Sequence, residues 1–315
     1  MQKKVWAISE QPKILAELVG GARSLFGEGA VVTAAALGSR EGAEAAAAAG
    51  AGKVYCFNLE NGAAVEDLYR PLFELIKMEG ADLILVGATK RGKTLAALLA
   101  AALDSGLATE AVIESVADGI AVRRLVYGGL AVSTGTFVSG IPVVTVPGRT
   151  WEVPASGEAG AAIVETDGMP GRIRVLERRA RARESADLES AEVVITIGRG
   201  VKKKEDLAMF EELAELLGGV LACTRPVAEE EGYHWFPEDS YIGISGRIVK
   251  PHLYLSVGSS GQVQHLAGCR DARVLVGIDK NEDAPIFEAC DYGVVGDLYQ
   301  VIPELIKKIK EARAS

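Results

Sequence analysis

The stretch EVVITIGRG (192–200) decides how the chain is read. Val193, Val194, Ile195, Thr196 and Ile197 form an unbroken β-branched run, closed by Gly198 and Gly200 around Arg199. Such residues fit a pleated strand and lose rotamer freedom in a helix, and the glycines mark where the strand opens into a loop. Outward from it the pattern repeats. A helical stretch covers 205–217, and VLACTRP (220–226), HLYLSVG (252–258) and RVLVGID (273–279) read as further strands. Between and after them, one helix starts at Gln262 and another runs near 298–312. Strands alternating with helices make βαβ units and a parallel sheet, here doubly wound.

The first half carries the same alternation. KVWAIS (4–9), VVTAAAL (31–37), KVYCF (53–57) and DLILVGA (82–88) read as strands. PKILAELVGGARSLF, GAEAAAAAGA and AVEDLYRPLFELIKME lie between them with apolar residues at helical spacing. After Ala111 the texture changes to short strands with glycine turns (AVIESVAD, GIAVRRLVYGG, LAVSTGTF, PVVTVPG), which predicts an antiparallel annex to the first sheet. The basic run RIRVLERRARARESA (172–186) reads as a linker or solvated strand flanked by acidic residues. The expected architecture is therefore α/β in two domains. Residues 1–186 form a parallel-sheet scaffold with a β annex, and residues 187–315 form a doubly wound nucleotide-binding domain.

Composition narrows the function. The 315 residues are 49% hydrophobic and 24% charged, enough for two buried cores and too apolar for a disordered chain. The net charge of −9 argues against nucleic acid, whose phosphates select a basic face. Cys56, Cys223, Cys269 and Cys290 are far apart and form no CxxC pair, so they read as buried reduced thiols. The three histidines, His234, His252 and His265, are too scattered for a metal cluster. No run approaches the 18 or so apolar residues of a membrane span, and the amino-terminal KVWAIS strand leaves no room for a targeting segment, so a cytoplasmic location is expected.

Two motif sets compete. GATKRGKT (87–94) matches a phosphate-binding P-loop, with Lys93 reaching a terminal phosphate and Thr94 a magnesium ion. That makes a nucleotide hydrolase or kinase the alternative reading, although the first half offers no clear strand-end aspartate as the magnesium partner. The second set is denser. Arg199 lies in GRG, Thr224 and Arg225 in CTRP, Ser245 between Gly243 and Gly246 in GISGR, and Ser259, Ser260 and Gly261 open the helix that holds Gln262, Gln264 and His265. Loops that follow parallel strands gather at one sheet edge, where small residues leave backbone amides open to a pyrophosphate. Four such loops in one domain point to a nucleotide site, in a redox protein or in a nucleotide-binding module without redox activity.

The block from Val193 to Leu305, including SGQVQHLAG, APIF and DYG, resembles the flavin domain of the alpha subunit of electron-transfer flavoproteins. The first half resembles the amino-terminal domain of that family more loosely, through ADLILVGAT and LAALLAAALDSGLA. The resemblance implies one non-covalent FAD and an obligate beta subunit. It also implies electron delivery from flavoprotein dehydrogenases (the acyl-CoA dehydrogenase type of fatty acid beta-oxidation) to a quinone oxidoreductase or a ferredoxin-linked acceptor, and it covers both ordinary and bifurcating carriers. Residue by residue, it places Arg199 near the diphosphate or adenosine end. Thr224 and Arg225 flank the flavin, with the Arg225 guanidinium over its redox edge. Ser245 is placed at flavin N5 or O4, and His265, preceded by Gln264, near the C2 carbonyl. Ser260, Gly261 and the amides through Gln262 match the pyrophosphate turn, while Asp279, Asp297 and Leu298 match adenosine contacts. Two positions depart from the common pattern. Ile244 stands where many members carry glutamine and cannot hydrogen-bond the flavin, and Asp279 stands where asparagine is common.

Overall fold

The computed structural model describes residues 2–59, 64–116, 119–154, 161–167, 176–177, 188, 190–237 and 240–314. The chain divides into two compact units, one of residues 1–126 with 132–179 and the other of 127–131 with 180–315. The expected boundary at 186/187 and most of the basic run lie outside the described residues.

The first unit is built on seven parallel strands in the order β10-β3-β2-β1-β4-β9-β5. Four follow the expected runs: β1 (Lys3–Ser9), β2 (Ala30–Leu37), β3 (Lys53–Asn58) and β4 (Leu83–Gly87). They are joined by α1 (Pro12–Phe26), α2 (Arg40–Ala48), α3 (Tyr69–Glu79) and, after β4, α4 (Lys90–Ala102). Alternate residues enter opposite cores. Val5, Ala7, Leu83 and Leu85 pack with α1 and α2, while Trp6, Ile8, Ile84 and Val86 face α3 and α4. This period of two buries β1 and β4 on both faces, so they read as continuous apolar runs.

The annex differs from expectation. PVVTV does not join it: β9 (Val143–Val146) lies in the main sheet, parallel to β4 and to β5 (Leu107–Ala108). Its four residues are fully buried, with Val143 in one core and Val144 and Val146 in the other. Burial on both faces is the mark of an interior parallel strand, and the V-V-T-V run without alternation is its signal. A further strand, β10 (Ala162–Asp167), pairs in parallel with β3 at the opposite edge. The annex proper is a three-stranded sheet of β6 (Val112–Ser115), β7 (Ala121–Val126) and β8 (Ala131–Thr136), with β6 and β7 antiparallel.

The second unit is a six-stranded parallel sheet in the order β13-β12-β11-β14-β15-β16. Its elements are β11 (Val193–Ile197), α5 (Leu207–Leu217), β12 (Val220–Thr224), α6 (Arg225–Glu229), β13 (Tyr241–Ile242), β14 (Leu253–Val257), α7 (Val263–Leu266), β15 (Val274–Asp279), α8 (Ile286–Ala289), β16 (Tyr292–Val295) and α9 (Leu298–Ala314). The short strands β13 and β16 carry no readable sequence signal of their own. The chain winds from β11 to one edge, returns to pair β14 with β11, and winds to the other edge. The strand order reverses between β11 and β14, and in open α/β sheets the carboxyl edge at such a reversal is where ligands bind.

At that point the loops touch backbone to backbone. The amide of Gly200 donates to the carbonyl of Gly258 at 2.9 Å, and Gly198 donates to Val257 at the same distance. A Cβ on Gly200 would stand 2.7 Å from the Gly258 Cα, and Gly258 itself has φ +62°. Gly200→Ala is expected to cost about 1–3 kcal/mol, because the contact is with main chain that cannot rotate away. Gly135→Ala, at a site with nothing within 4 Å, is expected to be near neutral. Denaturant midpoints of the two variants check this.

Candidate functional site

Because all six strands of the second unit run in parallel, their carboxyl ends share one edge, and every expected site residue outside α7 sits at that edge. Arg199 follows β11, Thr224 and Arg225 span the end of β12 and the start of α6, and Gly243, Ser245 and Gly246 follow β13. Ser259, Ser260, Gly261 and Gln262 follow β14, Asp279 ends β15, and Asp297 and Leu298 follow β16.

Local hydrogen bonds knit these loops together. Ile244 donates its amide to the carbonyl of Gln264 at 2.8 Å, tying the β13 loop to α7. Tyr241 Oη donates to the Ser245 carbonyl at 3.0 Å and holds the loop back so that Ser245 is exposed. The Ser260 carbonyl accepts from Ile286, and the Asp279 carbonyl from Gly296, both at 3.0 Å. The Asp279 and Asp297 carboxylates cap their own turns, on Asn281 at 2.9 Å and Tyr299 at 3.0 Å. Leu298 is buried against the Gly258 turn. The residues beneath this lattice, Tyr241 and the closely packed glycines, could be found from sequence only as unexplained aromatic and glycine positions.

The β14 loop fits a diphosphate. Among the described residues, the backbone amides from Ser259 through Gln264 have no acceptor within the protein. Gly258 and Gly261 have φ of +62° and +72°, and a Cβ on Gly261 would lie 2.6 Å from the Ile286 Cα. One left-handed glycine before and one within a run of N–H groups without acceptors favour a concave anion nest, and Ile286 packs so close to Gly261 that no side chain fits there. The two arginines at the edge are exposed. Arg225 Nε bonds Glu229 Oε2 at 2.6 Å, and Arg199 Nη1 lies 3.6 Å from Glu230 Oε2. The Glu229 hydrogen bond raises the Arg225 pKa further, so this group stays cationic.

His265 takes a different place from the others. It is only 8% exposed, and both ring nitrogens have partners inside the chain. Nδ1 lies 3.2 Å from the Ile242 carbonyl, which can only accept, so Nδ1 carries the proton. Nε2 therefore accepts from the hydroxyl of Tyr254, also at 3.2 Å. Burial pushes the imidazole pKa down to about 4, which leaves it neutral. His265 thus ties the end of β13 to α7 from below the edge. Tyr254, fully buried on β14, is its partner and was not legible as such in the sequence.

The P-loop alternative is not built. Helix α4 begins at Lys90, and the Thr89 side chain caps it by accepting the Gly92 amide at 2.8 Å. Lys93 and Thr94 therefore lie inside the helix. Lys93 Nζ pairs with Glu110 at 3.0 Å, and Thr94 Oγ1 bonds the Lys90 carbonyl. The stretch that would cradle phosphates is helix and cap. Among the described residues there is no cluster of potential metal ligands and no helix long and apolar enough to cross a membrane.

A model of the electron transfer flavoprotein domain matches residues 5–167, and one of the electron transfer flavoprotein FAD-binding domain matches 187–270. The chain belongs to the electron transfer flavoprotein family, on its alpha-subunit side. Protein FixB of Escherichia coli (strain 536) is 37% identical over 308 residues, covering 96% of both chains. Protein FixB of Shigella flexneri matches to the same extent. FAD binding thus falls to the second unit of this alpha-type chain, which contains the matched residues 187–270.

The neutral His265 sets a pH dependence. In the unfolded chain it takes up a proton near pH 6.5, whereas the folded protein refuses it down to about 4. The unfolded state then binds more protons, so stability falls as pH drops through this window, by about 3 kcal/mol in total. Denaturation midpoints measured from pH 7 to 4 should show a weaker acid loss in His265→Gln than in the parent protein. Equal slopes would rule this account out.

Proposed function

We propose that this chain is the FAD-holding alpha subunit of a cytoplasmic heterodimer with a beta-type partner. In this reading the heterodimer takes electrons from flavoprotein dehydrogenases of the acyl-CoA dehydrogenase type and passes them to a quinone oxidoreductase or a ferredoxin-linked acceptor. One observation carries it: the carboxyl edge of the second unit joins a row of unpaired amides to two exposed guanidinium groups. An edge with those features binds an anionic nucleotide and favours negative charge on what it binds.

The residue assignments follow the strand ends. The amides of Ser259, Ser260, Gly261 and Gln262 hold the diphosphate, helped by Arg199. Asp279, Asp297 and Leu298 line the adenosine side. Thr224, Arg225, Gly243, Ser245 and Gly246 lie toward the ring system; the exposed Ser245 Oγ accepts from Tyr241 Oη at 3.3 Å and keeps its own proton to donate to a polar ring atom. Gln264 is exposed on α7 beside them, and His265 supports the ring side from below. When bound, FAD supplies reversible electron uptake. The chain then has to bind, orient and electrostatically bias the cofactor. Arg225 does most of the biasing, because a fixed cation favours the form with the extra negative charge.

A charge-assisted hydrogen bond is worth roughly 1.5–3 kcal/mol, which for one electron corresponds to roughly 60–130 mV. Arg225→Ala in the reconstituted heterodimer should lower the flavin midpoint potential by about that amount, read by a spectroscopic redox titration. An unchanged potential would remove Arg225 from the flavin. Counting flavins per heterodimer then distinguishes a one-flavin carrier from a bifurcating one.

A further inference from the structure

We propose that Glu229 tunes the potential of the bound flavin by offsetting part of the Arg225 charge. The proposal rests on the reading above, in which Arg225 faces the flavin. Helix α6 is a single turn with Pro226 as its second residue and Val227 and Ala228 fully buried beneath it. The Glu230 amide closes the turn on the Pro226 carbonyl at 3.0 Å. Arg225 and Glu229, four residues apart, emerge on the same side, and the 2.6 Å contact from Nε to Oε2 is a short charge-assisted bond.

Two features separate this pair from an ordinary surface ion pair. The side chain of Glu229 is 32% exposed against 62% for Arg225, so the carboxylate is set back against protein while its partner projects. Solvent screens such a charge less than a fully exposed one. In addition, the next residue, Glu230, faces Arg199, so one loop supplies a counter-charge to both arginines of the edge. Exposed ion pairs add little to folding, whether four residues apart like Arg225–Glu229 or distant like Arg199–Glu230, so neither contact is needed to hold α6. What a carboxylate in direct contact with Arg225 does change is the local positive charge that this one guanidinium presents, rather than the net charge of the whole edge. A smaller positive charge favours the reduced, more negative cofactor less, and so keeps the potential lower than the bare guanidinium would.

The sign of one shift decides the matter. Glu229→Gln keeps an oxygen that accepts from Arg225 Nε and removes only the charge. In the heterodimer reconstituted with FAD, the midpoint potential should rise, by about a tenfold shift of the one-electron reduction equilibrium, 59 mV. If Glu229 merely holds Arg225 in place, the retained acceptor keeps the arginine where it is and the potential does not move, or the weakened contact lets it shift and the potential falls. A fall or no change overturns the proposal. Glu230→Gln removes the same charge one residue along and should leave the potential where it is; an equal rise there would assign the effect to net charge and also overturn it. If Glu229→Gln binds FAD too weakly to titrate, Glu229→Asp, which draws the carboxylate back by one methylene, must shift the potential in the same direction by less. Arg225→Ala measured alongside separates the two failures. If that variant shows no shift, the flavin is not at Arg225. If it lowers the potential while Glu229→Gln leaves it unmoved, only the role of Glu229 fails.

Discussion

The backbone contact between the loops after β11 and β14 is the constraint on which the second unit depends. Two strands that pair in register and then diverge must bring the start of one loop against the start of the other. Here that meeting is made by Gly198 and Gly200 against Gly258. With side chains at these positions the loops would part, the β14 loop would lose its left-handed turn, and the row of open amides from Ser259 onward would no longer curve around one point. The curvature of that row of amides follows from this approach.

Electrostatics then works within that frame. A parallel sheet sends every post-strand loop to one edge, so residues far apart in sequence act on one bound molecule. In this chain the edge carries cations with paired carboxylates, and below it lies a neutral, fully hydrogen-bonded layer of Tyr254, His265 and the Ile242 carbonyl. The two layers have opposite requirements. The exposed arginines keep their charge, while burial strips His265 of its own. An imidazole placed there fixes geometry without adding a second positive charge.

How much of this could be read from the residues varied with how local the signal was. Helix α1 and strands β1 to β4 were legible to within a residue or so, because each is a complete periodic or apolar run with its own punctuation. The β9 strand was misplaced in the annex. Its V-V-T-V run lacks the alternation of an edge strand, but four residues among short glycine-bounded strands are too few to separate it from the annex until both of its faces are seen to be buried. The GATKRGKT match failed for a related reason. Its spacing agrees with a P-loop, but the early start of α4 at Lys90 turns the expected loop into helix. His265 was found as a site residue from its motif, yet the motif says nothing of Tyr254, which lies eleven residues away on another element and saturates its Nε2.

What the sequence determined by itself is therefore the alternation of strand and helix, the parallel class of both sheets, and the loops that carry small residues and arginines. Those properties rest on periodicity and turn chemistry within a few residues, which any short window displays. Only the tertiary structure decided where the strand order reverses, which amides remain without acceptors, and that Glu230 stands against Arg199. These depend on contacts between loops tens of residues apart, whose distances are set by packing of the whole sheet.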